Sequence, residues 1–208
     1  DSSVEAPPLA LSETVYIGAL NGVLYALDIK SGKERWRYET GNRIMGSPNW
    51  TESAKSSRRI LVGSYDHRLH CVDAVSGKGV WTYSTDNYIN GAPAIWQGNA
   101  VVGGCDAFLH IVSLETGLAN GSIDAGSYIA ASPAIADGHV FVGHYGNQVL
   151  CANMSEEKTI WTYGDADDGE PFFSSPAVGA KRVVIGGRDG YVHCLRRDDG
   201  RSVWTFRT

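Results

Sequence analysis

The 208 residues include 43% apolar side chains and 25 glycines and carry a formal net charge of −5. So mild an acidity gives no reason to expect nucleic acid or an anionic membrane surface as a partner. No apolar run approaches the roughly 18 residues of a membrane-spanning helix, and residues 1–14 are too acidic and polar for a signal peptide. The apolar content suffices for a packed core, and glycine at about twice its average usage points to many tight turns.

Taken in order, residues 1–6 read as a lead-in. Ala6-Pro7-Pro8-Leu9-Ala10-Leu11 then matches Ala131-Ser132-Pro133-Ala134-Ile135-Ala136, so a repeat begins here. Tyr16 to Trp36 sets its pattern: an apolar pair ending in Gly18, a turn at Asn21-Gly22, an alternating strand from Val23 to Leu27 closing on Asp28, a second turn at Ser31-Gly32, then Trp36. The pattern reopens at Gly63, Gly103, Gly143 and Gly186, and eighteen residues after each of the five glycines stand Trp36, Trp81, Gly121, Trp161 and Trp204. Tryptophan at four of five such endpoints is far beyond chance, and a period of this kind decides the fold before anything else. The expected units are about 7–41, 47–86, 92–126, 132–164 and 175–208, five in phase, in a single domain over 1–208.

Each unit reads as four short strands. The first follows a Ser/Ala-Pro step, where proline costs no ladder bond. The second is the apolar run before the glycine, the third alternates, and the fourth carries the tryptophan. Such runs, cut by Gly/Asn/Asp turns, are strand signals. A four-stranded antiparallel unit of about 40 residues is a propeller blade. The expected fold is therefore an all-β propeller of five blades. Three irregularities stand out. Thr51–Arg59 is a longer loop inside the second unit. Gly164–Pro171 lengthens the connection between the fourth and fifth. In the fourth, Glu156-Glu157 replaces the usual Ser-Gly, Thr-Gly or Asp-Gly, which predicts a different turn geometry.

The string Val/Ile-Gly-x-x-Asp/Asn-Gly-x-Leu-Tyr-Ala-Leu-Asp-x-x-Ser-Gly-Lys-x-x-Trp resembles the pyrroloquinoline-quinone-like propeller repeat. Gly18–Trp36, Gly63–Trp81 and Gly186–Trp204 are its best copies here. The resemblance implies tryptophan docking, in which Trp36, Trp81, Trp161 and Trp204 hold neighbouring blades together, with Gly18, Gly63, Gly103, Gly143 and Gly186 as structural glycines. It also implies two functional groups: quinone-dependent dehydrogenases, and non-catalytic scaffolds such as the outer-membrane assembly lipoprotein. Family members usually have about seven or eight blades, within the general range of roughly four to eight. Five units leave three arrangements open: a small closed ring, part of a larger propeller or longer chain, or a piece completed by self-association.

In the family's enzymes a calcium ion, an Asp base and two adjacent cysteines hold the quinone. This sequence has no adjacent cysteines and no Asp matching that base, so no cofactor and no catalytic residue is expected. Cys71, Cys151 and Cys194 share one strand position and read as core packing. His70, His110 and His193 share another and read as structural. The carboxylates Asp165, Asp167 and Asp168 are weak calcium candidates, since their loop lacks the spacing of a twelve-residue calcium loop. What remains is a surface. In a propeller the blade-to-blade loops and the second-to-third-strand turns emerge on one face. There the sequence offers Arg43, Tyr65, Tyr88, Tyr128, Tyr145, Phe172 and Arg188 as recognition residues, aromatic and guanidinium groups being frequent hot spots. The expected function is a non-catalytic binding or scaffold module for a protein, peptide or small ligand. A quinone-dependent dehydrogenase, or a sensor domain of a larger signalling protein, is the alternative. A periplasmic or secreted location is expected, with a cytoplasmic one left open.

Overall fold

The structure, a computed structural model, describes residues 2–52 and 57–208. Residues 53–56, the middle of the loop expected to be longer over Thr51–Arg59, lie outside the described residues. The described residues form twenty strands and no helix, so no helix is long and apolar enough to cross a membrane. Blade 1 comprises β1 (Leu9–Leu11), β2 (Thr14–Gly18), β3 (Val23–Asp28) and β4 (Glu34–Glu39), and blade 2 comprises β5 (Asn49–Glu52), β6 (Arg58–Ser64), β7 (Arg68–Asp73) and β8 (Gly79–Ser84). Blade 3 holds β9 (Ala94–Trp96), β10 (Asn99–Gly103), β11 (Phe108–Ser113) and β12 (Ala119–Asp124). Blade 4 holds β13 (Ala134–Ala136), β14 (His139–Gly143), β15 (Val149–Asn153) and β16 (Lys158–Tyr163), and blade 5 holds β17 (Ala177–Val178), β18 (Arg182–Gly186), β19 (Tyr191–Arg196) and β20 (Ser202–Arg207). Each blade is an antiparallel meander, with strands paired in chain order. This is the all-β propeller architecture that the repeat predicts.

The blades share their cores pairwise. One face of blade 1 (Tyr16, Leu24, Ala26, Trp36) packs on the facing side of blade 2 (Ile60, Val62, Val72, Ala74). The same arrangement recurs between blades 2 and 3, 3 and 4, and 4 and 5. A blade is apolar on both faces, and stacking is what removes both from water. The opening glycines have a direct role here. A Cβ at Gly18, Gly63 or Gly103 would collide with Ile44, Ile89 or Ile129, each anchored on the loop to the next blade, and at Gly143 with Phe172.

Every outer strand carries a bulge at the same place, opposite Ala26/Leu27, Cys71/Val72, Ile111/Val112, Cys151/Ala152 and Cys194/Leu195. A bulge re-aims the side chain beside it, and in four of the five blades that side chain is the tryptophan. Trp36 Nε1 donates to Ala74 O, Trp81 Nε1 to Leu114 O and Trp161 Nε1 to Arg197 O, each at 3.1 Å and each on the following blade. The indole lies over the left-handed glycine of that blade's last turn. A Cβ on Gly77 (φ 70°) would sit 2.7 Å from Trp36, and one on Gly117 (φ 73°) 2.6 Å from Trp81.

Between blades 3 and 4 the pair is exchanged. Gly121 replaces the tryptophan, and Glu157 replaces the glycine beneath it. Glu157 keeps the left-handed backbone, with φ 54°. The turn differs in how it closes, as expected at Glu156-Glu157: Asn153 pairs with Lys158, one rung beyond the Leu27–Glu34 and Val72–Gly79 pairs that end the ladders of blades 1 and 2. The Glu157 side chain occupies the space the indole vacates, in van der Waals overlap with any Cβ at Gly121. Asn153 Oδ1 accepts from the Ser155 and Glu156 amides, as Asp73 Oδ1 does from Val75 and Ser76.

The two end faces lack this cover. On blade 5 Trp204 is 46% exposed and Phe206 65%, and Trp204 has no hydrogen-bond acceptor among the described residues. On blade 1 Ile29 is 48% exposed, whereas its counterpart Ala74 is buried. A Cβ on Gly32 would meet nothing within 4 Å. Blade 5 therefore does not close on blade 1, and Trp204 is the one tryptophan of the repeat that does not hold two described blades together.

These contrasts set two outcomes for urea unfolding. Trp81→Ala costs about 3–5 kcal/mol through loss of a packed ring, whereas Trp204→Ala costs no more than about 1 kcal/mol. Gly77→Ala combines left-handed backbone strain with collision against Trp36 and costs about 2–4 kcal/mol, while Gly32→Ala, with open space, costs only about 1–2 kcal/mol.

Candidate functional site

The meander puts the second-to-third-strand turns and the blade-to-blade loops at one end of every blade. A repeated backbone bond ties the two sets together: Tyr65 N to Arg43 O (2.9 Å), Cys105 N to Tyr88 O (2.8 Å), Tyr145 N to Tyr128 O (2.9 Å) and Arg188 N to Pro171 O (3.0 Å). Side chains from adjacent blades thereby alternate along a band. In its first half the Arg43 guanidinium lies 4.6 Å from the Tyr65 ring centre. Tyr65 stacks on Tyr88 at 4.5 Å and 11°, and His67 meets Tyr88 edge-on at 5.0 Å. In the second half Tyr128 faces Tyr145 at 6.5 Å, Tyr145 packs on Phe173 at 4.3 Å, and Arg188 lies 5.3 Å over Phe173. Tyr88, Tyr128 and Tyr145 remain exposed. Burial raises the pKa of Tyr65 despite the nearby Arg43, so its phenol is neutral and available as a donor.

Six of the seven sequence-predicted residues thus lie along this band: Arg43, Tyr65, Tyr88, Tyr128, Tyr145 and Arg188. Phe172 does not. Its side chain is 3% exposed and packs with Val149, Trp161 and Ile185 in the core between blades 4 and 5. It takes the place that Ile44, Ile89 and Ile129 hold at the other junctions, and Phe173 is the ring that joins the band. The preceding acidic stretch folds on itself. Asp165 Oδ1 accepts from the Asp167 and Asp168 amides. Among the described residues no three His, Cys, Asp or Glu side chains gather in a way that would hold a metal ion.

Beneath the band, three junctions carry a buried polar chain. Tyr38 Oη lies 3.1 Å from His70 Nδ1, and His70 Nε2 lies 3.0 Å from Asp66. Tyr83, His110 and Asp106 repeat this at 3.1 and 3.0 Å. Tyr163 Oη lies 3.0 Å from His193 Nδ1 in the same way, but there Asp189, 2.9 Å from His193 Nε2, is not aligned to accept a hydrogen bond from it. A neutral imidazole fits the first of these, with Nε2–H donating to the carboxylate and Nδ1 accepting from the phenol. Burial lowers the pKa of His70, although Asp66 opposes the shift. Asp66 itself sits below the ordinary carboxylate range, because the Gly41 amide and His70 outweigh its desolvation. A carboxylate, imidazole and hydroxyl in line resemble a nucleophilic relay, but burial and threefold repetition make them junction clamps. Their signal was present in the sequence. Asp, His and Tyr occupy fixed repeat positions and disappear together between blades 3 and 4, where Gly146, Leu150 and Ile123 stand instead.

The four cysteines sit on four different blades. Cys71, Cys151 and Cys194 are buried and Cys105 is half-buried. Desolvation pushes the Cys71 and Cys151 thiols up to about 12. No vicinal pair exists to clamp a flat quinone, so the residues present do not fit that cofactor in the manner the resemblance implies.

A family model described as outer membrane protein assembly factor BamB matches residues 21–122. Comparison with curated proteins gives no match. Among solved structures, BamB from Moraxella catarrhalis superposes with a TM-score of 0.79 at 19% identity over 99% of this chain and 62% of that one. The computationally designed Ika8 protein gives 0.76 at 16% identity, over 91% and 57%. Quinohemoprotein alcohol dehydrogenase from Comamonas testosteroni gives 0.80 at 17% identity, over 99% and 43%. The chain therefore spans less than two thirds of each of these proteins, and at such identities the likeness establishes the fold.

Acidification tests the buried clamps. Because the folded-state pKa of His70 is below its ordinary 6.5, the unfolded chain binds more protons as pH falls below that value, and stability falls with it. His144, also lowered by burial, acts in the same direction. The melting temperature is expected to drop between pH 7.5 and pH 5.5, and His70→Gln to make that drop shallower.

Proposed function

This chain is a β-propeller of pyrroloquinoline-quinone-like repeats, and we propose that it acts as a non-catalytic scaffold whose aromatic and cationic loop face binds a protein partner. The observation that carries this reading is the band from Arg43 to Arg188. It places exposed tyrosines between two guanidinium groups, on loops fixed by backbone bonds to rigid blades. Tyr and Arg bury large areas at low cost in side-chain freedom and dominate binding energy in many interfaces. Preformed stacking lowers that cost further, since Tyr65 and Tyr88 are already ordered against each other. Similarity to an outer membrane protein assembly factor supports a protein partner and a periplasmic or secreted setting. The dehydrogenase reading rests on overall fold similarity to an alcohol dehydrogenase, without a matching cysteine pair.

A photo-crosslinking side chain placed at Tyr128 tests the proposal in cells of the native host. The expected result is a discrete protein adduct that is lost when Tyr88→Ala and Arg188→Ala are combined, with the fold intact by circular dichroism. Failure to form an adduct, together with dye-linked alcohol oxidation on addition of quinone and calcium, would replace the scaffold by the dehydrogenase.

A further inference from the structure

The opposite end of the blades, formed by the first-to-second and third-to-fourth strand turns, carries a concavity. A cleft of about 710 Å³ opens between blades 4 and 5, lined by His139, Cys151, Ile160, Trp161, Ala180, Lys181, Arg182, Arg196, Arg197 and Asp198. That volume lies within the range of small-molecule sites, roughly 300–1,000 Å³. The equivalent positions at the other junctions, the bulge residue of the outer strand and the first residues of the second strand, carry different side chains.

Between blades 1 and 2 the bulge residue Arg35 folds back over its own blade, donating to Thr14 Oγ1 at 2.9 Å and Asp28 Oδ2 at 2.6 Å, and it lines a groove of about 260 Å³. Between blades 2 and 3 Arg59, buried, donates to Leu114 O at 2.6 Å, the same carbonyl that receives Trp81. Between blades 3 and 4 Asn120 donates to Asn99 Oδ1 at 2.7 Å. At the junction of blades 4 and 5 the equivalents are Ile160 and His139. Ile160 has no polar reach and is 47% exposed, and His139 makes no bond to Arg197 O, the carbonyl that receives Trp161. The hydrogen-bonding side chains that stand here beside blades 1, 2 and 3 have no equivalent on blade 4.

The walls differ in character. Ile160, the Trp161 indole, Ala180 and the neutral Cys151 thiol form an apolar side. The rim is cationic. Arg196 is paired with Asp198 and Asp199, and Arg197 with Asp137. Lys181, on the turn between β17 and β18, and Arg182, which opens β18, have no carboxylate partner among the described residues, and Arg182 Nη1 donates only to Lys181 O. Two uncommitted cations beside an apolar wall in a ligand-sized concavity select an anion that also carries a flat apolar body.

We infer that the cleft between blades 4 and 5 is a small-molecule site for a planar organic anion such as a nucleoside monophosphate, its ring against Ile160 and Trp161 and its anionic group on Lys181 and Arg182. The site lies on the end of the blades away from the aromatic band, so it does not depend on the scaffold reading. Isothermal titration with adenosine monophosphate, adenosine and inorganic phosphate tests it. The monophosphate is expected to bind at least about tenfold more tightly than either fragment, a gap of about 1.4 kcal/mol or more. Lys181→Ala combined with Arg182→Ala, both exposed positions, is expected to weaken it by about tenfold or more with the melting temperature unchanged. His139→Trp, which puts a larger ring into the cleft without adding charge, is expected to weaken the monophosphate and adenosine alike. No heat with the monophosphate, equal affinity for phosphate alone, or full affinity in the double variant would overturn the assignment.

Discussion

The structure depends on one contact: an indole laid flat on a left-handed glycine of the next blade, with its N–H on a carbonyl of the same turn. Each half explains the other. Glycine is needed because the turn requires a positive φ and because the ring leaves no room for a Cβ. The bulge is needed because only a local twist points the ring sideways out of its own sheet. Between blades 3 and 4 both halves change together, with Gly121 on one side and Glu157 on the other. A residue with a side chain is tolerated in the left-handed position there because the ring above it is gone.

The same logic describes the ends of the array. Trp204 is an indole with no glycine beneath it, and Gly32 is a left-handed glycine with no indole above it. Blade 5 leaves Phe206 in water, and blade 1 leaves Ile29. Each blade has two apolar faces, so a linear stack always keeps one uncovered at either end unless it meets another surface. The Asp–His–Tyr chains add polar specificity to junctions that are otherwise held by area alone. A buried imidazole with both nitrogens engaged permits one register and makes a slipped one costly.

The two ends of the blades support different chemistry because their connections differ. At one end the loops bridge neighbouring blades, and their side chains meet in pairs that no single repeat encodes, such as Tyr65 with Tyr88. At the other end the turns are local, and what varies is the side chain that stands beside the outer strand at each junction. Arg35, Arg59 and Asn120 make hydrogen bonds there, and the apolar Ile160 makes none. An exposed, aromatic, preordered face suits a macromolecule, whereas a concave cleft with a cationic rim suits a small anion.

The sequence by itself determined the blade count, the strand order and three of the four tryptophans expected to dock, because these follow from local patterns that recur at a fixed stride. A glycine, a turn and an alternating strand carry their own geometry, and five copies make that geometry unambiguous. It also placed six of the band residues, since their positions relative to the opening glycine fix the end of the blade on which they emerge. Only the tertiary structure decided between Phe172 and Phe173. The longer connection before blade 5 removes the register that counting relies on, and which ring enters the core depends on what Gly143 and Ile185 leave room for. It alone showed the undocked Trp204 and the unfilled cleft, because both depend on what faces a side chain across a junction, and one chain's sequence does not record its neighbours in space.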